Sequence, residues 1–131
     1  MNLWTFQGTG HSLTNGRVDV RRSPYWDDPK YRHAAGKLFE KLGTDQLIWC
    51  VGEPTELFRT AEQPIRWRLD VPESMIIEVL DTDTWRELRE GKFTDDADEA
   101  LLWSRAFLPS VLPKAQVLVR HPVDPAMAIP G

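Results

Sequence analysis

Residues Ile65 to Gly91, IRWRLDVPESMIIEVLDTDTWRELREG, decide the fold class, because their apolar positions change from a period of two to a period of about 3.6. Ile65, Trp67 and Leu69 alternate with polar residues, as in a strand that is buried on one side. MIIEVL predicts a second strand, and the aspartates after it predict a helix that Gly91 ends. This mixture, without a regular strand-helix-strand cycle, predicts an α+β domain.

Strand patterns recur towards both ends of the chain. Leu3–Gln7 alternates, Leu47–Val51 is a continuous apolar run typical of a central strand, and Ala115–Arg120 predicts the last strand. We therefore expect residues 1–120 to form one domain around a split, mostly antiparallel sheet. Residues 121–131 contain several prolines, which predict an irregular tail.

Three helices are expected to flank this sheet. Asp28 and Pro29 are good starting residues for the first, and Gly43 ends it. The second follows the strand MIIEVL and ends at Gly91. The third begins at Thr94 or Asp95 and runs to Phe107. Between the first strand and the first helix, residues 8–27 form a long loop, which a short strand at residues 17–21 would shorten. One helical turn is expected at residues 55–59.

The composition limits the classes of function. The chain has 131 residues and a net charge of −4, which makes nucleic acid an unlikely partner. No apolar run approaches the roughly 20 residues of a membrane-spanning helix, and no signal sequence is evident, so we expect a soluble, cytoplasmic protein. The single cysteine, Cys50, lies in an apolar run and is expected to be a buried, inert thiol. No metal-binding motif occurs, and no metal is expected.

Two carboxylates are candidates for catalysis. Glu53 follows the apolar strand and a glycine, where it could stabilise a developing cation, and Glu78 is the one acid within the strand MIIEVL. Either could instead simply face water. Arg66 and Arg68 on the polar side of their strand could hold an anion, although a solvated surface explains them as well.

Six tryptophans make aromatic stacking on a ligand ring possible. Trp67, Trp85 and Trp103 occupy periodic positions that predict burial in the core. Trp49 lies beside the polar loops and is less settled. The glycines of Gly8–His11 could approach an anion, but a plain turn is the simpler interpretation.

Three stretches carry a resemblance to a known family, and they are FLPSVLPKAQVLVRHP at residues 107–122, LDVPESMIIEVLDTDTW at residues 69–85, and Asn15-Gly16-Arg17. In these stretches and in the order of its elements the chain resembles the bacterial RES domain, a member of the ADP-ribosyltransferase-like fold found in NAD-consuming toxins. A second, uncharacterised bacterial family, which opens with Leu-Trp-Thr-x-Gln as residues 3–7 do here, is also similar.

The resemblance implies an ADP-ribosyltransferase-like fold and a cleft that holds NAD as the cofactor. Arg17 or His11 would contact the pyrophosphate or ribose, and Tyr25 and Trp49 would sandwich the nicotinamide. Glu53 or Glu78 would stabilise the oxocarbenium-like state as nicotinamide leaves. The product would be transferred or hydrolysed ADP-ribose.

A different class of function also fits the sequence. A non-catalytic interaction or inhibitor protein, of the kind encoded by phages and mobile elements, would dock on a protein partner through exposed tryptophan and arginine. A structural domain of a larger assembly is a third possibility. Convergence of His11, Arg17, Trp49 and Glu53 in one pocket would favour the enzyme.

Overall fold

The computed structural model describes residues 1–8, 13–23, 25–90 and 115–131. These residues form six strands and two α-helices. In chain order they are β1 (Asn2–Gln7), α1 (Pro29–Leu42), β2 (Leu47–Val51), β3 (Ile65–Asp70), β4 (Ile76–Asp81), α2 (Thr82–Arg89), β5 (Ala115–Arg120) and β6 (Ala128–Pro130).

The six strands form one sheet in the order β4-β5-β2-β1-β3-β6, and all neighbouring strands are antiparallel. The α+β class and the antiparallel sheet are therefore confirmed. The predicted third helix, Thr94–Phe107, lies outside the described residues. Consecutive strands are not always neighbours in space, because β1 lies between β2 and β3.

Local signals account for both ends of α1. The side chain of Asp28 accepts a hydrogen bond of 2.9 Å from the backbone N–H of Lys30, which satisfies one of the free N–H groups at the helix start. At the other end Gly43 adopts a left-handed conformation with φ of 72°. The apolar stripe between them is buried, and its residues are Tyr31, Ala34, Ala35 and Leu38.

Side chains on the two faces of the sheet belong to two apolar clusters. On one face, side chains from all of β1 to β5 pack together, including Leu3, Leu69 and Val117. On the opposite face, which we call the helix face, α1 and α2 pack against Leu118 and other residues of β2, β4 and β5. The helices thus cover one half of the helix face, and β1, β3 and β6 form the other half.

The junction between β1 and β2 is the weakest ladder of the sheet interior. It has one paired position, Trp4 with Val51, whereas β1 pairs with β3 at six positions and β2 with β5 at five. The Thr5 hydroxyl donates a hydrogen bond of 2.7 Å to the Trp49 carbonyl, and the Gln7 amide donates one of 3.0 Å to that hydroxyl. Side chains therefore replace part of the missing backbone ladder. The six strands still form one continuous sheet, so the expected split is not observed.

Three local expectations differ from the structure. Instead of a strand, residues 20–22 form a 3₁₀ turn, because Asp19 accepts a hydrogen bond from the Arg21 N–H and bends the chain. Residues 56–59 form a simple turn without a helix. The tail is not wholly irregular, since β6 pairs with β3 and places Ile129 beside Arg68.

None of the helices in the described ranges is long and apolar enough to cross a membrane.

Replacement of Thr5 by valine tests the importance of the bridge at this junction. Thr5→Val keeps the side-chain shape but leaves the Trp49 carbonyl and the Gln7 amide without their buried partner. We expect the free energy of unfolding to fall by about 1–3 kcal/mol, measured by urea denaturation. Thr5→Ser, which keeps the hydroxyl, is the control and should lose much less. Equal stability of Thr5→Val and the wild type would contradict a stabilising bridge.

Candidate functional site

A cavity of about 220 Å³ opens on the helix face where β1 and β2 diverge. Its floor comes from these two strands and from Gln116 of β5, and its walls come from α1, α2 and two loops. The loops are residues 18–23 with 25–26, before α1, and residues 57–63, which lie between β2 and β3 and are called here the rim loop. Seven parts of the chain therefore meet at one concave site.

Five aromatic side chains form a continuous chain of ring contacts along the cavity. The centroids of Trp49 and Trp85 are 5.5 Å apart at an angle of 35°, and Tyr31 meets Trp85 edge-on at 6.4 Å. Tyr31 also contacts Trp26 at 6.4 Å and Tyr25 at 5.8 Å. All five side chains line the cavity. The walls are thus suited to a planar ring, since such a ring can join this set of tilted and edge-on contacts.

Among the described residues, no Asp, Glu, Lys, Arg or His side chain lines the cavity. The polar groups of the lining are neutral, and they are Thr5, Gln7, Ser23, Thr60, Gln63 and Gln116. A charged group placed inside would lose its hydration and gain no counter-ion from these walls. The lining therefore disfavours an anion and suits a planar ring that is neutral or carries a delocalised positive charge, because aromatic faces attract cations.

Exposed apolar side chains border the cavity. Four large apolar residues are exposed in the described part of the chain, and three of them, Tyr25, Leu57 and Phe58, line the cavity. Leu57 is 86 % exposed, so it contributes almost nothing to the core. Apolar surface in this position is usually retained for contact with a ligand or a partner.

Two arginines hold the rim loop against β3. Glu56 forms ion pairs with Arg59 and, at 3.1 Å, with Arg66. Arg66 also donates to the Pro54 carbonyl, and Arg59 donates to the Pro64 carbonyl and lies 5.1 Å from the centre of the Phe6 ring. The hydrogen bond from Arg59 is the main reason that the pKa of Glu56 lies below its usual value. The carboxylate therefore stays ionised when the solution is mildly acidic.

Two of the six predicted site residues, Tyr25 and Trp49, line the cavity. Arg17 is exposed and directly precedes Val18, which is part of the lining. Glu53 is exposed and follows Val51, another lining residue, by two positions. His11 lies outside the described residues.

Glu78 is buried in β4 at some distance from the cavity. Glu78 and Trp49 are both paired with Leu118 of β5, so two strand spacings, about 10 Å, separate their backbones. The carboxylate accepts a hydrogen bond of 3.0 Å from the Val79 N–H. Glu78 thus shares the helix face with the aromatic chain without lining the cavity.

Sequence reasoning missed most of the aromatic wall. Trp85 was expected in the core, and its burial is confirmed, but its ring also lines the cavity. Tyr31 was recognised only as part of the apolar stripe of α1. Trp26 lies in a loop whose path no sequence pattern predicts. A possible signal was the density of aromatic residues from Tyr25 to Tyr31, just before and within the first turn of a helix.

Cys50 is a buried thiol, as expected, and is 1 % exposed. Burial raises the pKa of this thiol well above its ordinary value, because the thiolate would lose its hydration. Its sulfur lies 3.7 Å from the Ile48 carbonyl oxygen, as a donor in a weak hydrogen bond. A neutral thiol in this environment is a poor nucleophile.

Neither a metal cluster nor a relative identifies the site. Within the described ranges, no three His, Cys, Asp or Glu side chains are grouped in a way that could hold a metal ion. Comparison with known proteins gives no match to a family model, to a curated protein or to a solved structure. The residues of the cavity are therefore what indicates its chemistry.

Titration of Cys50 should make stability depend on pH in the alkaline range. The unfolded thiol ionises near its ordinary pKa of 9.0 while burial keeps the folded thiol protonated, so the folded state binds more protons above that pH. We expect the free energy of unfolding to decrease as the pH rises through 9 towards 10, and to decrease less in Cys50→Val. Urea denaturation of both proteins at each pH measures this difference. Identical slopes would show that the folded thiol ionises normally.

Proposed function

We propose that this protein binds a small molecule by taking one planar ring into the aromatic cavity, and that NAD is the first ligand to consider. The observation that carries the proposal is the chain of five contacting aromatic rings around a cavity without charged walls in the described part of the protein. In an ordinary hydrophobic core, side chains would fill the space between the rings and leave no cavity of this size.

The volume of the cavity supports a ligand ring and excludes a whole dinucleotide from its interior. A cavity of about 150 Å³ is enough to hold benzene, whereas pockets for drug-sized ligands have about 300–1,000 Å³. At about 220 Å³ this cavity suits a compound of one or two rings. The remainder of NAD would lie outside, along the border of the cavity.

Arginines at that border suit the pyrophosphate of such a ligand. Arg17 directly precedes Val18 and Arg21 directly follows Val20, and both valines line the cavity. Both arginines are exposed. Arg21 is paired with Asp19, while Arg17 has no ion pair with any residue of the described ranges. Arg17 is therefore the better candidate for contact with a phosphate, as the resemblance to the RES domain also implies.

The chemical step would be ADP-ribosyl transfer or NAD hydrolysis, as in ADP-ribosyltransferase-like proteins. It requires a carboxylate near the bond between nicotinamide and ribose, which breaks with the electron pair leaving on the nicotinamide nitrogen. Glu53 is the better candidate, because it is exposed and close in sequence to a lining residue, whereas Glu78 is buried in β4. Binding of the ring does not depend on this step.

Thermal-shift titration with NAD, ADP-ribose and nicotinamide tests the proposal. A ligand that binds only the folded state must raise the melting temperature, and a ring near Trp49 and Trp85 should also change their fluorescence. We expect NAD and nicotinamide to raise the melting temperature. ADP-ribose lacks the nicotinamide ring and should raise the melting temperature less. An assay for released nicotinamide separates catalysis from binding. No shift with any of the three at millimolar concentration would contradict NAD as the ligand.

Two tryptophan variants make the matched control for this experiment. Trp49 and Trp67 are both partly buried, but Trp49 lines the cavity and Trp67 packs in the cluster on the opposite face of the sheet. Trp49→Leu should abolish the ligand-induced shift, whereas Trp67→Leu should keep it, even if both lower the melting temperature of the free protein. Equal loss of the shift in both variants would indicate a general loss of structure.

A protein partner is the second candidate function, and the exposure of Tyr25, Leu57 and Phe58 at the cavity border favours it. In this case an apolar side chain of the partner, and not a free ligand, would enter the cavity. The anchors expected from the sequence were tryptophans, but no tryptophan in the described ranges is classed as exposed. The rim loop would take their place.

Leu57→Ser distinguishes this second function. Because Leu57 is 86 % exposed, its replacement should change the free energy of unfolding by no more than about 0.5 kcal/mol. If a partner docks on the rim, capture of that partner by the immobilised protein should be lost in Leu57→Ser and kept in Glu73→Ser, a change at an exposed residue in the turn before the edge strand β4. Equal capture by both variants would exclude the rim as the interface.

A further inference from the structure

One row of paired residues crosses all six strands and gives an unexpected place to a glutamine. Side chains at directly paired positions lie on the same face of a sheet. The row follows the pairings of β4, β5, β2, β1, β3 and β6 and consists of Leu80, Gln116, Val51, Trp4, Arg68 and Ile129. Gln116 therefore projects towards the helix face, between a buried leucine and a valine.

An apolar residue would be the ordinary choice at this position. The neighbouring helix-face residue of β5, Leu118, is fully buried in the cluster with α1 and α2. Gln116 instead lines the cavity and is partly buried, and its side-chain amide makes no hydrogen bond within the described ranges. The amide atoms of Gln116 are not among the fully buried polar atoms of the described residues, so they remain accessible from the cavity and can bond to a ligand placed there.

A second amide lines the cavity from the rim loop. The backbone N–H of Gln63 bonds to Thr60, which fixes the turn, but its side-chain amide also makes no hydrogen bond with described residues. Gln7, the third glutamine of the lining, is different because its amide is engaged with Thr5. The cavity thus contains two amides that make no hydrogen bond with described residues, and each of them can both donate and accept one.

We infer that Gln116, assisted by Gln63, selects the ring by its hydrogen-bonding edge, so that the ligand is a heteroaromatic compound with an amide-like donor and acceptor side by side. This inference rests on the proposed ring-binding function and narrows its ligand class. A nucleobase and a carboxamide ring share this chemistry. A purely apolar ring would leave the glutamines unpaired, and an anionic ring would find no cation in the described lining.

Two pairs of ring compounds test the inference. Nicotinamide is compared with 3-methylpyridine, and adenine with purine, because the second member of each pair has a similar shape but lacks the exocyclic donor. Dissociation constants come from tryptophan fluorescence and are checked by thermal shift. We expect at least one pair to show a preference of about tenfold for the member with the donor, which corresponds to about 1.4 kcal/mol. The pair that shows this preference indicates whether the hydrogen-bonding edge of the ligand belongs to a carboxamide ring or to a nucleobase.

Variants of the two glutamines then locate the preference. Gln116→Leu should reduce it to less than about threefold without lowering the melting temperature, since leucine suits its apolar neighbours Leu80 and Leu118. Gln63 lies in the rim loop, where a substitution should not prevent folding. Gln63→Leu therefore provides the test if Gln116→Leu fails to fold. Preference that persists in both folded variants would overturn the inference.

The outcomes separate this inference from the function on which it rests. Wild-type protein could bind 3-methylpyridine as tightly as nicotinamide, and purine as tightly as adenine. This result would overturn the role of the glutamines but leave ring binding in place. Wild-type protein that binds none of the four compounds would contradict ring binding itself, and the inference with it. Tighter binding of a donor-bearing ring that is lost in Gln116→Leu supports both.

Discussion

The divergence of β1 from β2 is the constraint on which the rest of the site depends. If the two strands were fully paired, the ladder would close the sheet and the aromatic side chains would pack on a continuous surface. Instead the Thr5 hydroxyl bonds to the Trp49 carbonyl and takes the place of the missing backbone partner. A side-chain bridge satisfies the buried carbonyl while holding the strands at a separation that leaves space above them. The cavity is thus a consequence of how this junction meets its hydrogen-bonding requirements.

Electrostatics distinguishes the interior of the cavity from its border. The described interior has aromatic walls and neutral amides, whereas charged groups lie outside it, as with Arg17 beside Val18 and Arg68 beside Trp4. Such a separation suits a ligand with a planar ring and an anionic remainder, because the aromatic faces can hold a neutral ring or a delocalised cation while the arginines outside can meet the anion. It also explains why neither Glu53 nor Glu78 needs to enter the cavity for a ring to bind.

Elements with local signals could be predicted from the sequence, and those that depend on distant pairing could not. Asp28 and Gly43 define α1 because a cap and a left-handed turn act within a few residues. β6 was missed because its pairing with β3 is set by chain segments about 60 residues apart, and a three-residue strand carries no pattern of its own. Tyr25 and Trp49 were named as ligand contacts, yet the wall that joins them also needs Trp85, whose core-like spacing concealed its second role.

The rim loop decides how a ligand reaches the cavity. The helices cover only the β4-β5-β2 half of the helix face, so the loop is the remaining wall on the side of β1 and β3. Glu56 holds this wall by bonding to both Arg59 and Arg66, and its lowered pKa keeps the ion pairs intact in mildly acidic solution. Exposed pairs of this kind contribute little to global stability. Their effect is local: they fix the base of the loop while Leu57 remains in solvent, so apolar surface is held at the entrance before any ligand arrives.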